Sequence, residues 1–525
     1  MPYRNGKFDQ KQSSWTSKIL EFGGLPELRL RLKSQKIVHC HGVFDVLHAG
    51  HLAYFESAKK FGDHLVVTIT ADQFVNKGPG RPYFNGSVRS KMIAALEVVD
   101  FVCISPYPTA VPCIEALQPN FYVKGPDYQD KSKDPTGAIF REEEAVQKGG
   151  GQLAFTSDET LSSSRLINEF FNPWTELQQK TINMIKEVGG LEKIEKVLDQ
   201  VAELSVSVIG EPIVDTYVFC QPEAISSKSP SISAKFLYQE DYAGGVLAIA
   251  NHLAGFVNKL TLLTTFGGEE YFQTILDEKI DPRIHKIMVK VPNNPTPRKT
   301  RFIEKGQSQR MFELTDLRSD QWLQHDSQEF CQVLKSHNQG QNLSNHVTIL
   351  ADFGHGLFEK EVLQTAKNLD GFVALNVQTN SSNFGFNPFT KHRRFSYLSI
   401  DTREARVAYH DRYSSGLDLA RRIQTDIAEF AAGASITLGA QGAVYFPVNG
   451  SAGIDAPAFT DQVVDATGAG DAYFAITSLL VKVGCPEVMV PFIGNVFAGL
   501  KTKIIGNKTA VSRAQLIKAL TAILK

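Results

Sequence analysis

Short apolar, β-branched runs alternate along most of the chain with longer stretches in which apolar positions recur at helical spacing. Lys36 to Gly42 (KIVHCHG) ends in glycine, a helix-like stretch follows from about His51 to Phe61, and His64 to Thr70 (HLVVTIT) is strand-like again. A strand–helix–strand unit is predicted there. Helix-like Val88 to Val98 and the strand-like runs Phe101 to Ser105 and Phe121 to Gly125 extend the pattern to an open parallel sheet, whose ligand is expected at the carboxyl ends of its strands. Ser164 to Val201 is helical and charged and reads as a connector. A second strand series begins at Leu204 to Gly210 (LSVSVIG) and continues at Leu260 to Thr265, Val347 to Ala351, Phe372 to Val377, Ser435 to Leu438 and Ala443 to Phe446. The expected fold class is α/β, with two doubly wound parallel-sheet domains at 36–170 and 204–525, an N-terminal extension at 1–35 and a helical connector at 171–203.

Composition narrows the chemistry. The 525 residues suit about two to four domains. With 42% apolar residues the chain lies outside the disordered class, and 55 basic against 56 acidic residues leave no net field for nucleic acid or anionic lipid. Any phosphate site must be local. Six cysteines without paired spacing indicate neither a disulfide framework nor a structural zinc, so a reduced cytoplasm is the expected compartment. Met1 to Lys18 lacks the apolar stretch of a signal peptide, and Ile476 to Leu500 is interrupted by Lys482, Gly484, Pro486, Glu487 and Pro491, so no membrane span is expected.

Gly42 to His51 (GVFDVLHAGH) places His48 and His51 three apart where the first strand hands over to the first helix. Residues at that spacing share a face of a helical turn, and a helix start offers free N–H groups and a positive dipole end. An anion cradle or a plain hydrogen-bonded surface turn would both use this pattern. The run resembles the HxGH signature of the cytidylyltransferase-like nucleotidylyltransferases, and further parts of that pattern follow in order: Ala58 to Leu65, Lys77-Gly78, Arg81-Pro82, Arg89, Val99-Asp100, Lys124 to Tyr128 (KGPDY), and Ser162, Ser163 and Ser164. The resemblance implies a Rossmann-like domain in which a sugar or alcohol phosphate attacks the α-phosphate of a nucleoside triphosphate and pyrophosphate leaves. It also implies that His48 and His51 stabilise developing charge, with Lys77 and Lys124 neutralising phosphates. Phe44 and Asp45 would belong to the nucleotide-binding turn, Asp45 orienting it, and Ser162 to Ser164 would hold phosphate at a helix start. Arg89 reads equally as a phosphate contact or a solvated helix charge. The KGxDY form favours ATP, with CTP as the alternative.

Val463 to Phe474 (VVDATGAGDAYF) sets small residues at a helix start with an acid at the end of the run. Glycines there let backbone N–H groups approach a phosphate, and a carboxylate beside them could take a hydroxyl proton; a tight strand-to-helix turn is the plainer reading. The segment resembles the signature of the ribokinase-like (PfkB) sugar kinases. Thr437 to Gly442 (TLGAQG), Ile209 to Asp215 and Gly244-Gly245 resemble other parts of that family's pattern. The resemblance implies Asp471 as base, Thr467, Gly468, Ala469 and Gly470 around the transferred phosphoryl group, and Thr437, Gly439 and Gly442 on the nucleotide side. Asp215, Gly244 and Gly245 would face the sugar, and Glu404 would join a magnesium–water network. Three positions depart from the pattern: Ala248 stands for an asparagine, His355 for a lysine of the heptose kinases, and Asp401 for the asparagine of NxxE. Asn376 to Asn380 is polar at a predicted strand end and has no assigned role.

Together the halves resemble bifunctional enzymes of ADP-heptose synthesis, with the domain order reversed. That resemblance implies a kinase making a sugar 1-phosphate and a transferase activating it, with ATP and Mg2+ in both halves, for surface glycan assembly. Nucleoside triphosphate and sugar phosphate would be the partners, and pairing of two chains through the kinase half is a further implication. The alternative is a transferase, CTP-dependent and acting on glycerol 3-phosphate, beside a kinase-like half that only binds.

Overall fold

A computed structural model describes the chain except residues 1–14, 76–80, 130–136, 158–173, 226–230, 306–308, 318–323, 382, 428–430, 448–452 and 461–462. Two compact units divide it, essentially Met1–Trp174 and Thr175–Leu516.

The first unit is a six-stranded parallel sheet of β1 (Ile19–Leu20), β2 (Ile37–Gly42), β3 (His64–Thr70), β4 (Phe101–Ser105), β5 (Phe121–Lys124) and β6 (Gln152–Phe155). Their order is β1-β4-β3-β2-β5-β6, so connections leave β2 toward opposite edges and the crevice lies at the ends of β2 and β5. Alternation assigns the faces. Val38, Cys40, Leu65, Val67 and Ile69 pack with Phe55, Ala58 and Ile93, whereas Ile37, Val66 and Cys103 pack with Leu25, Leu28 and Leu117.

In the second unit the charged connector is two helices, Glu176–Glu187 and Gly190–Ala202, rather than one. Gly189 (φ 110°) and Gly190 (φ 55°) break it, because only glycine adopts that backbone cheaply. The strands, in chain order, are β7 (Ser205–Gly210), β8 (Pro212–Ile225), β9 (Ile232–Gly245), β10 (Lys259–Phe266), β11 (His285–Lys290), β12 (Arg298–Glu304), β13 (Gln309–Asp316), β14 (His346–Asp352), β15 (Phe372–Val377), β16 (Tyr397–Asp401), β17 (Gly433–Thr437), β18 (Ala443–Pro447) and β19 (Ile454–Ala456). The main sheet runs β11-β10-β7-β14-β15-β16-β17-β18-β19 and is parallel as far as β17.

A second sheet, β13-β12-β8-β9, is absent from the sequence expectation. Its strands lack the alternation that marks a half-buried strand. Ser233 to Phe236 of β9 are exposed in succession, and β12 reads RKTRFIE. Among the described residues no helix is long and apolar enough to cross a membrane, and all six cysteines are buried and unpaired.

Candidate active sites

In the first unit the site grows out of one turn. Gly42 ends β2 against the Phe44 ring, where a Cβ would lie 2.9 Å from Phe44 Cζ. Phe44 takes a left-handed backbone (φ 47°) and buries its ring against Phe55 and His51. Its side chain is therefore core, and only its backbone can face a nucleotide. Asp45 is buried and accepts the Tyr83 and Phe84 N–H groups at 2.8 and 3.0 Å, with Arg81 at 3.4 Å, so it ties the two loops together. His48 is the cap residue of the helix Ala49–Lys59 and His51 lies in its first turn. Their rings stack with centroids 3.9 Å apart.

At the end of β5, Lys124 pairs with Glu142 at 2.9 Å and lies 4.7 Å from the Tyr128 ring centroid. Arg89 is neither solvated nor open to phosphate. It is fully buried and donates to the Phe84, Val43 and Thr70 carbonyls at 2.9, 2.5 and 2.8 Å, and pairs with Asp72 at 2.5 Å. The expected contact is thus corrected to an anchor of backbone, because guanidinium donors already filled by carbonyls are not spare for a ligand. Lys77 and Ser162 to Ser164 lie outside the described residues. A polar chain that the sequence reading passed over lines the β2 and β3 ends: His39 Nε2 and His41 Nδ1 meet Thr68 Oγ1 at 2.8 and 2.7 Å, and His41 Nε2 meets Thr70 Oγ1 at 3.2 Å. Burial, then the Lys124 charge, pushes His41 down to about 3, so its ring is neutral.

In the second unit a cavity of about 260 Å³ gathers residues from eight segments. Gly468 (φ 78°) caps the helix Ala469–Lys482, whose first turn carries Asp471. Asp471 is buried and accepts a 2.6 Å hydrogen bond from Gln378 Nε2 at the end of β15. Burial, then the like charge of Asp215, pushes its carboxyl up to about 6, against the Gln378 hydrogen bond and the Lys299 and Lys501 charges. The same cavity is lined by Asp215 on β8 and by Lys299 and Arg301, two apart on one face of β12. Arg301 pairs with Asp215 and, at 2.8 Å, with Glu313. Gly244 makes room for Asp215, since a Cβ there would lie 2.3 Å from its Oδ2. Gly245 (φ 58°) lines the cavity directly.

The comparisons follow this geometry. The model of the pfkB family carbohydrate kinases matches residues 204–480, a little over half of the chain. The chain belongs to that family. A cytidylyltransferase-like model matches residues 39–169, so a domain of that type precedes the kinase domain. The bifunctional protein HldE of Campylobacter fetus subsp. fetus is 43% identical over 123 residues, 23% of this chain and 26% of that protein. That of Chromohalobacter salexigens is 35% identical over 161 residues, 29% of this chain and 32% of that one. The chain therefore matches only about a quarter to a third of these relatives' length, in the cytidylyltransferase-like part. The crystal structure of phosphofructokinase-2 from Escherichia coli in complex with substrates and products superposes with a TM-score of 0.50 at 12% identity, over 61% of this chain and 100% of that one. That likeness concerns the fold.

The pfkB-type domain places Thr437, Thr467, Gly468 and Gly470 on the cavity wall, with Ala469 between the last two. Gly439 (φ 61°) and Gly442 (φ 108°) shape the turn after β17, and a Cβ on Gly442 would meet the Ala456 carbonyl at 2.2 Å. Asp215 does not wait free for sugar hydroxyls, because one of its oxygens is held by Arg301. Glu404 forms a capping box with Asp401 and accepts the Asp401 and Thr379 N–H groups at 2.7 and 3.1 Å. Burial, then Asp401, raises it to about 8. Beside it on the wall, Asn376 Oδ1 is a buried oxygen with no hydrogen-bond partner. Glu404 and Asn376 offer the hard oxygens that would hold a hydrated magnesium ion through water, which would supply positive charge toward phosphate.

The polar strand end at Asn376 to Asn380 is thus explained by Gln378, which the sequence reading noticed without placing. Lys299 and Arg301 were missed. Their only signal was a period-two pair of cations in an otherwise charged run.

Proposed function

We propose that the chain carries two transfers: phosphorylation of the anomeric hydroxyl of a sugar phosphate in the pfkB-type domain, giving a sugar bisphosphate, and, once a separate phosphatase has removed the original phosphate, transfer of a nucleotidyl group onto the remaining 1-phosphate in the cytidylyltransferase-like domain. The product is an ADP-heptose-like nucleotide sugar for surface glycan synthesis. The observation that carries the reading is the kinase cavity of about 260 Å³, whose wall holds Asp471 at a helix start together with Lys299 and Arg301. A base and two cations lining one cavity suit an acceptor with a reactive hydroxyl and a phosphate.

In the kinase step the acceptor hydroxyl gives its proton to Asp471 while its oxygen bonds to the γ-phosphorus of ATP. The bond from that phosphorus to the β-bridging oxygen breaks and ADP leaves. N–H groups at Gly468 to Gly470 and the helix dipole receive the developing charge. Bound magnesium would neutralise phosphate oxygens, held through water by Glu404 and Asn376. In the transferase step the 1-phosphate oxygen attacks the α-phosphate and pyrophosphate leaves. His48 and His51, stacked at the helix start, donate to the new charge, and Asp45 and Arg89 hold the loops around them. Lys77 and Ser162 to Ser164 are proposed for the phosphates by resemblance, and ATP is preferred to CTP.

Six unpaired buried cysteines suit a reduced cytoplasm. Pairing of two chains would use exposed Phe236, Phe312 and Leu314 on the four-stranded sheet.

The test offers the full chain ATP with a panel of sugar phosphates and follows ADP, pyrophosphate and nucleotide sugar by mass spectrometry. ADP from a sugar phosphate acceptor is expected, and pyrophosphate from the matching sugar 1-phosphate or from the bisphosphate product once a phosphatase is added. Pyrophosphate released only from sugar 1-phosphates or glycerol 3-phosphate, with no ADP from any acceptor, would establish the second reading, favoured by Ala248, His355 and Asp401, in which the kinase half only binds.

A further inference from the structure

One buried cation has no part in the steps above. Lys501 is the last residue of the helix Met489–Lys501 and is 0% exposed. A buried ammonium is costly unless its surroundings compensate it. Here Nζ donates to the Thr467 carbonyl at 2.7 Å and to the Ile504 carbonyl at 3.4 Å. A Cβ on Gly468 would lie 3.4 Å from Lys501 Cε and 3.8 Å from its Nζ, so the ammonium sits directly behind the first glycine of the anion hole. Asp465 holds the same corner. It accepts the Thr467 and Gly506 N–H groups at 2.9 and 2.8 Å and the Tyr217 hydroxyl at 2.6 Å. Burial lowers the Lys501 pKa, and Asp465, Asp471 and Asp215 oppose that shift.

We propose that Lys501 is the resident cation of the kinase anion hole, a positioning residue whose charge lies behind Gly468 and stabilises negative charge arriving at the start of the helix Ala469–Lys482. The helix dipole alone supplies about half an elementary charge at that end. A full charge behind the same turn, shielded from water, adds to the field where the γ-phosphate travels and leaves its front open to ATP. The same ammonium favours the ionised form of Asp471, the form that can accept a proton. Asp471 is otherwise faced by Asp215 and Lys299, with Gln378 donating to it.

The inference rests on the kinase reading, so wild-type turnover is measured first, in the full chain with MgATP and the acceptor found above. Lys501→Gln keeps a donor and removes the charge. It is expected to lower kcat by about 10²-fold, the usual cost of one anion-stabilising donor, with KM for the acceptor little changed. Its acid limb should move to higher pH, because losing a cation raises the Asp471 pKa. Lys501→Ala should regain activity with ammonium or methylammonium chloride but not with tetramethylammonium chloride. A folded Lys501→Gln with kcat within threefold of wild type and an unmoved acid limb overturns the proposal. Should both neutral variants fail to fold, Lys501→Arg decides: turnover within tenfold of wild type supports a charge role, and a folded Arg variant as slow as Asp471→Asn overturns it. Should wild type phosphorylate nothing, the kinase reading fails on its own. Lys501 is then judged by MgATP affinity in calorimetry, where a tenfold loss in Lys501→Gln supports it and unchanged affinity overturns it.

Discussion

The two candidate sites are assembled in opposite ways. Around His48 and His51 the two histidines and Asp45 lie on one strand-to-helix turn, with Lys124 added from the end of β5 and Arg89 holding the turn. Around Asp471 the groups come from strands and helices spread between Ile213 and Asp471. A site centred on one turn keeps much of its geometry through local backbone bonds. A dispersed one depends on the register of two sheets and on buried charges compensating one another.

The largest expected effect separates the halves outright. Asp471→Asn should lower kinase turnover by about two to four orders of magnitude and leave pyrophosphate release from a supplied sugar 1-phosphate unchanged. A parallel loss of both activities would break the comparison. The reciprocal change, His48→Ala, should cost about 10²–10³-fold in nucleotidyl transfer with kinase turnover intact, read in the same full chain.

Next comes the anchor. Arg89→Met removes a buried guanidinium from three carbonyls and the Asp72 carboxylate and should destabilise the first unit by about 2–4 kcal/mol, seen as an earlier thermal transition while that of the second unit stays in place. Unchanged melting would mean that the turn holds itself.

The mildest effect concerns pH. With Asp471 near 6, kinase turnover should fall as pH drops through about 6, since the base must be ionised. Gln378→Ala removes a hydrogen bond to the carboxylate, so the fall should begin at higher pH, with a loss of about tenfold or less near neutrality. An acid limb that stays put would show that Gln378 does not set the base.

Much of this was legible in the chain itself. Apolar periodicity placed most of the parallel strands, because strands buried on both faces must be apolar throughout, and short motifs located the HxGH turn and the glycine-rich helix start. The outer half of β9 is exposed and β12 is charged, so neither carries such a pattern; the four-stranded sheet stayed hidden, and with it Lys299 and Arg301. Arg89 shows the same limit from the other side. A helix charge looks alike in solvent or under four acceptors until its neighbours in space are known. Lys501 stands in an apolar helix, where no local rule distinguishes a snorkelling lysine from a buried cation. The sequence determined which chemistry each half carries, since motif residues act through their own backbone turn. Only tertiary structure decided how Asp215, Gln378, Asp471 and Lys501 bias one another, because three buried charges and one amide donor are brought together from positions far apart in the chain.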